Sequence, residues 1–162
     1  MTAAAPAAPA ASTDRIEEHV VLRQPRARVW RALTTAEEFG AWFGVRLSGG
    51  TFAPGAHVRA QFTIPGYEYV VFDVLVGDVV PEERFSWRWH PHAVERGADY
   101  SAETRTLVEF ALEDTADGGT LLRVTESGFD ALPEARRATA LAGNTGGWTS
   151  QLRKRLVAYL DG

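Results

Sequence analysis

The sequence predicts an α+β fold. A curved antiparallel sheet of about six to seven strands wraps around one long C-terminal helix, with two short helices after strand 1. Three observations carry this. Between residues 56 and 127, apolar residues recur at every second position, in segments cut by the turns Pro65-Gly66 and Asp117-Gly118-Gly119. From Pro133 to about Leu160 the apolar spacing becomes helical. Ahead of the strands, Pro25 and Thr35 stand where helices start.

Residues 1–13 are mostly Ala, Pro, Ser and Thr and read as a disordered leader before a single domain over 14–162. They carry no charged n-region and no strong apolar run, unlike a signal peptide. Arg15–Arg23 alternates, with Ile16, Val20 and Leu22 on one side, as a strand does. Pro25 opens a helix with Val29, Trp30 and Leu33 as its stripe. Thr35 and Glu38 have capping-box spacing for a second short helix bearing Phe39, Trp42 and Phe43. Ala56–Ile64 places Val58, Ala60, Phe62 and Ile64 on one face. Tyr67–Val80 reads as a long strand with a bulge, because neither face is cleanly polar. Arg84–His90 sets Phe85, Trp87 and Trp89 against Ser86, Arg88 and His90. Pro91–Ala102 is a polar loop. Thr104–Glu113 and Thr120–Ser127 complete the strands, with Leu122, Val124 and Glu126 on one face of the last. On the long helix, Leu141, Thr145, Trp148, Leu152, Leu156 and Tyr159 form the expected stripe. Gly143, Gly146 and Gly147 in its middle imply a close approach or a local break, since each costs about 0.5–1 kcal/mol against Ala.

Composition narrows the function. The 162 residues are 45% hydrophobic and 23% charged, enough to bury a core. Net charge is −4, the basic residues are scattered Arg, and Lys154 is the one Lys, so no basic face offers itself to nucleic acid. No apolar run has the length of a membrane span. The chain has no cysteine, which removes disulfides, thiolate nucleophiles and Cys-bound metals, and fits a cytoplasmic location. It contains no Gly-x-Ser-x-Gly elbow and no phosphate-cradling glycine loop.

A meander wrapped on one long helix leaves space between the two, and that space is a candidate ligand cavity. Trp42, Phe43, Phe62, Trp87, Trp89, Phe110 and Trp148 are the aromatic candidates to line it, with Trp42 and Phe43 as a gate; taken singly, each also reads as ordinary core, and as a set several should reach the cavity. Glu126 is the sharpest polar point. An inward carboxylate is costly unless bonded, and burial would suit it to acid–base work, so it is the candidate catalytic group. Asn144, one turn before Trp148, is placed to touch a ligand or to pair with Glu126. Tyr100, in the loop Asp99–Thr104, is a candidate polar contact if that loop covers the cavity, and a self-satisfied turn is the alternative. His90 and His92 flank Pro91 without a third ligand at a recognised spacing, so no metal is expected. Arg136 and Arg137 read as solvated.

Several segments together resemble a known superfamily. Pro25–Leu33 (PRARVWRAL), Trp42-Phe43, Pro81–Trp89 (PEERFSWRW) and Asn144–Trp148 (NTGGW) are similar to the SRPBCC superfamily, the helix-grip proteins related to START and birch-allergen-like domains. Within it the match is to the group of the activator of Hsp90 ATPase. Trp87–Val94 (WRWHPHAV), Asp99–Thr104 (DYSAET) and Thr125–Pro133 (TESGFDALP) resemble a bacterial subgroup that often carries a vanillate-demethylase-type name. Such oxygenase systems need iron, flavin or iron–sulfur centres, and this chain has neither Cys nor a dinucleotide glycine fingerprint, so that activity is not carried over. The resemblance covers about Arg15 to Leu160 and implies a deep apolar pocket, small-molecule binding in many relatives and chemistry in a few.

The leading expectation is a protein that binds a small apolar or aromatic molecule in an internal cavity. It would need no cofactor, and any chemistry would be metal-free acid–base work on Glu126. A protein-interaction, co-chaperone-like module is the second reading and a broad stress or detoxification carrier the third. A homodimer paired through an edge strand is left open. The position of exposed apolar surface separates an inner-cavity binder from a partner-binding module.

Overall fold

The computed structural model describes residues 13–162; the leader expected over 1–13 lies outside them except for Thr13. Six strands are present: β1 (Arg15–Leu22), β2 (His57–Gln61), β3 (Val71–Val80), β4 (Arg84–Trp89), β5 (Thr106–Asp114) and β6 (Thr120–Ser127). They form one antiparallel sheet in the order β1-β6-β5-β4-β3-β2. The first and last strands of the chain's sheet-forming run are therefore neighbours, and β1 and β2 are its edges. Helices α1 (Arg26–Thr34) and α2 (Ala36–Phe43) join those two edges. The chain ends in a continuous helix made of α3 (Glu134–Ser150), a π-helical stretch over Gln151–Leu156, and α4 (Val157–Asp161). No helix among the described residues is long and apolar enough to cross a membrane.

Period-two patterning sets which face is inside. On β6, Leu122, Val124 and Glu126 are buried; on β5, Val108, Phe110 and Leu112; on β4, Phe85 and Trp87. The expected irregularity in the long strand falls between Val76 and Val79, where the β3–β4 register shifts. The segment before Val71 is not strand. Turns at Ile64–Tyr67 and Tyr67–Val70, with Gly66 at φ 90°, break it into a loop that stands over the helix.

The α2 capping box does not form, since Thr35 makes no side-chain cap bond. Its Glu38 instead reaches Arg28 and Arg31 of α1 and accepts from the Tyr159 hydroxyl of α4 at 2.8 Å. These pairs tie the two short helices to the end of the long one.

The long helix keeps a stripe at strict four-residue spacing: Ala140, Trp148, Leu152, Leu156 and Leu160 are buried, with Asn144 completing the series. In an ideal α-helix a four-residue step drifts by about 40°. The wider π turn takes up part of that drift and holds Leu152 and Leu156 on the sheet. Thr145, expected on the stripe, is exposed and bonds back to the Leu141 carbonyl.

Candidate functional site

Between sheet and helix the aromatic side chains pack on one another and leave no wide void. Trp148 comes down among Phe43, Trp87, Trp89 and Phe110, with centroids 5.7–6.3 Å apart. Phe39 and Phe72 fill the next layer. This corrects part of the expected lining. Trp42, Trp87 and Phe110 are buried core residues and line none of the three cavities described below. Trp42 does not sit as a gate: it is buried, and its indole N–H donates to the Ala32 carbonyl at 2.8 Å. Aromatic mass that the sequence made available to a ligand is spent on packing.

The open space lies to one side of that plug. A cavity of about 450 Å³ is bounded by the β2–β3 connection (Phe62, Ile64, Tyr67, Val70), by the end of β4 and its loop (Trp89, His90, His92, Val94), and by the long helix. A smaller recess of about 100 Å³ adjoins it, reaching Phe43 and Trp148. Of the aromatic candidates, Phe43, Phe62, Trp89 and Trp148 therefore border open space. The helix contributes Gly143, Gly147, Gln151 and Arg155, one above another at four-residue spacing.

The glycines have distinct tasks. A Cβ on Gly143 would run into the His92 ring, so this is a close approach. A Cβ on Gly147 would meet nothing within 4 Å, and there the missing side chain leaves cavity volume. Neither breaks the helix.

Glu126 is fully buried, and four donors converge on its carboxylate. Oε1 accepts from Trp148 Nε1 at 2.8 Å and Asn144 Nδ2 at 3.0 Å. Oε2 accepts from Thr106 Oγ1 at 2.6 Å and Trp89 Nε1 at 2.8 Å. Glu126 is not itself a cavity wall; Trp89 and Asn144 are, and their polar hydrogens point away from the cavity to Glu126. The expected proximity of Glu126, Asn144 and Trp148 is present, and it joins β6, β5, β4 and α3 at one point. Chemically the cluster is an anchor with its acceptor positions filled.

The loop after β4 is organised by a residue that sequence reasoning left in solvent. Arg136, at the start of α3, donates from Nε and Nη2 to Glu103 at 3.0 and 2.8 Å, and to the carbonyls of Pro91 and His92. Its guanidinium lies 4.5 Å from the centre of the Tyr100 ring. An Arg early in a helix near a Glu-containing loop carries no pattern that separates it from a solvated one. His90 Nε2 lies 3.0 Å from the Glu103 carbonyl. Burial, with the charge of Arg105 beside it, lowers the His90 pKa, and burial with Arg136 does the same for His92. Asp99 accepts from the Ser101 N–H and the Tyr100 hydroxyl accepts from the Glu95 N–H, so the turn is in large part self-satisfied. Tyr100 borders a separate, more polar cavity of about 330 Å³ on the far side of Val70, Val71 and His90, away from the helix.

Comparison with known proteins agrees with this architecture. The family model described as "Activator of Hsp90 ATPase homolog 1-like protein" matches residues 23–161. The chain belongs to this family. Its fold is the helix grip of the wider SRPBCC superfamily. Among solved structures, MLL2253 from Mesorhizobium loti is 28% identical with a TM-score of 0.66, over 91% of this chain and 96% of that one. DynU16, described as a protein of the dynemicin biosynthetic locus, is 25% identical with a TM-score of 0.67. The match covers 91% of this chain, which spans only 47% of DynU16. The Aha1 dimer from Colwellia psychrerythraea shares the fold at 18% identity and a TM-score of 0.59, over 85% of this chain and 90% of that one. No curated protein matches the chain significantly in sequence.

Proposed function

We propose that this member of the activator of Hsp90 ATPase-like family binds a small apolar or aromatic molecule in the cavity of about 450 Å³ beside the long helix. The observation that carries the reading is the cavity wall. Phe62, Ile64, Val70, Trp89 and Val94 present apolar surface, and Gly147 leaves the helix bare where a side chain would otherwise fill the space. Apolar burial at about 25 cal/mol per Å² supplies the drive. We assign Glu126 a positioning role in place of acid–base chemistry: it holds the Trp89 and Asn144 side chains that form the floor. The exposed large apolar residues favour this over a partner-binding face. Val21 lies on edge strand β1 and Leu75 on β3, four strand positions away, while Tyr67 and Val71 border the cavity itself.

The test is native mass spectrometry of the freshly purified protein, with thermal shifts against naphthalene, indole and medium-chain alkyl compounds. The expected result is a retained compound or a shift with wild type, lost in Gly147→Leu, which fills the cavity without breaking the helix. An empty wild-type protein that responds to no compound, or a Gly147→Leu variant that responds as wild type does, refutes the reading.

A further inference from the structure

We infer that the ligand is an acid, an apolar body with one anionic group held against Arg155 at one end of the cavity. This rests on the cavity being a binding site and adds the chemical class of what it takes.

Four helix positions line the cavity in a row: Gly143, Gly147, Gln151 and Arg155. At 1.5 Å per residue the row is about 18 Å long. It is bare at the glycine end and charged at the other. Of the polar helix side chains on this wall, Asn144 is turned to Glu126, Gln151 donates to the Phe43 carbonyl at 2.9 Å, and Ser150 is uncharged. Arg155 is thus the cationic end of a trough whose other walls are largely apolar.

Arg155 is set apart from the arginines that hold the fold together. Arg28 is paired with Glu38, Arg105 with Asp73, Arg136 with Glu103 and Arg153 with Glu18. Arg155 has no carboxylate partner among the described residues. Its Nε donates to the Trp42 carbonyl at 2.7 Å, which fixes the guanidinium plane and leaves its two terminal nitrogens without an acceptor among the described residues. No Asp or Glu among the described residues borders the cavity. His90 and His92 also line it, and their lowered pKa values keep them neutral near pH 7, so Arg155 is the one standing charge on the wall.

A half-buried cation beside apolar surface favours an anion, because a neutral ligand would cover the charge and leave it unpaired. A planar guanidinium whose two terminal nitrogens are free matches a carboxylate in one two-point contact. Gly44 favours this placement. Its left-handed backbone (φ 86°) ends α2 without a side chain, where a Cβ would press on Ile64 and on Arg155 Nη2. The helix end is trimmed to let the guanidinium lie at the cavity's rim.

Two carboxylates, naphthoate and decanoate, are titrated into the protein by calorimetry against their primary amides, which match them in shape and carry no charge. Wild type is expected to bind at least one acid about ten-fold tighter than its amide, a difference of about 1.4 kcal/mol. Arg155→Gln should erase that preference by weakening the acid alone, Arg155→Lys should restore part of it, and Arg153→Gln should leave it intact. Amides that bind wild type as tightly as the acids overturn the inference and leave the cavity reading standing. Failure of all four probes overturns both. The wild-type comparison needs no variant, so a poorly folding Arg155→Gln does not shield the idea.

Discussion

Glu126→Gln changes one oxygen to an amide nitrogen with almost no change in shape. In the structure that carboxylate serves four donors, and two of them are indole N–H groups that can do nothing else. If the new NH₂ takes the Oε1 place it faces Trp148 Nε1, and Asn144 keeps its longer bond to Oε2 at 3.2 Å. If it takes the Oε2 place, the Thr106 hydroxyl can turn to accept, but Trp89 Nε1 is stranded. Either way one buried indole N–H loses its acceptor. A stranded donor costs about 1–3 kcal/mol, and the surviving bonds weaken because their acceptor is no longer charged. Loss of the buried charge offsets some of this by removing its desolvation cost. The lost bonds win, because the two indole N–H groups cannot accept, whichever way the Thr106 hydroxyl turns or the Asn144 amide flips. The expected net destabilisation is about 2–4 kcal/mol. Urea unfolding followed by far-ultraviolet circular dichroism measures it, with an unchanged m-value as the control for two-state behaviour. In a double-mutant cycle with Trp148→Phe the two changes should couple by about 1 kcal/mol or more. A Glu126→Gln loss under about 0.5 kcal/mol, or no coupling, would show that the cluster does not anchor the helix to the sheet.

The helix glycines should separate by position. Gly146→Ala and Gly147→Ala meet open space and should each raise stability by about 0.5–1 kcal/mol, whereas Gly143→Ala must displace the His92 ring and should lower it. Thermal melts of the three variants check the order. Acid should loosen the junction of α1, α2 and α4. Burial alone would raise the Glu38 carboxyl, but the Tyr159 and Arg28 hydrogen bonds, with the charges of Arg28 and Arg31, outweigh it and leave it below its ordinary 4.5. The unfolded chain then binds the proton more readily, so this stabilisation is present above about pH 4.5 and is lost as pH falls through the lower folded value. Glu38→Gln should flatten the fall in stability as pH drops below about 4.5, and an unchanged slope there would contradict the assignment.

Much of the frame was legible before any coordinates. Strand β6 falls on Thr120–Ser127 as the alternation and the Asp-Gly-Gly turn required, and Glu126 faces inward because Leu122 and Val124 do. A period of two leaves a strand one choice of face, and burial of apolar area makes that choice. The convergence of Asn144 on Glu126 was foreseeable for the same reason, since a costly inward carboxylate and a helix asparagine each need a partner. The closing of sheet on helix followed from the order of elements, since a meander cannot bury its inner face alone and the long helix is its natural cover.

What tertiary structure decided was where packing ends and space begins. Trp42 and Trp89 are the same residue type in equally apolar surroundings, yet one is locked on Ala32 and the other borders the cavity. Gly143 and Gly147 differ only in what lies opposite, the His92 ring in one case and open space in the other. The solvated reading of Arg136 failed because its partners, Glu103 and the carbonyls of the loop at Pro91, are over 30 residues away. Patterning along a chain reports the average polarity of a face. Which side chain fills a gap, which charge lacks a partner and which glycine makes room are set by contacts between distant segments, and those exist only once the chain has folded.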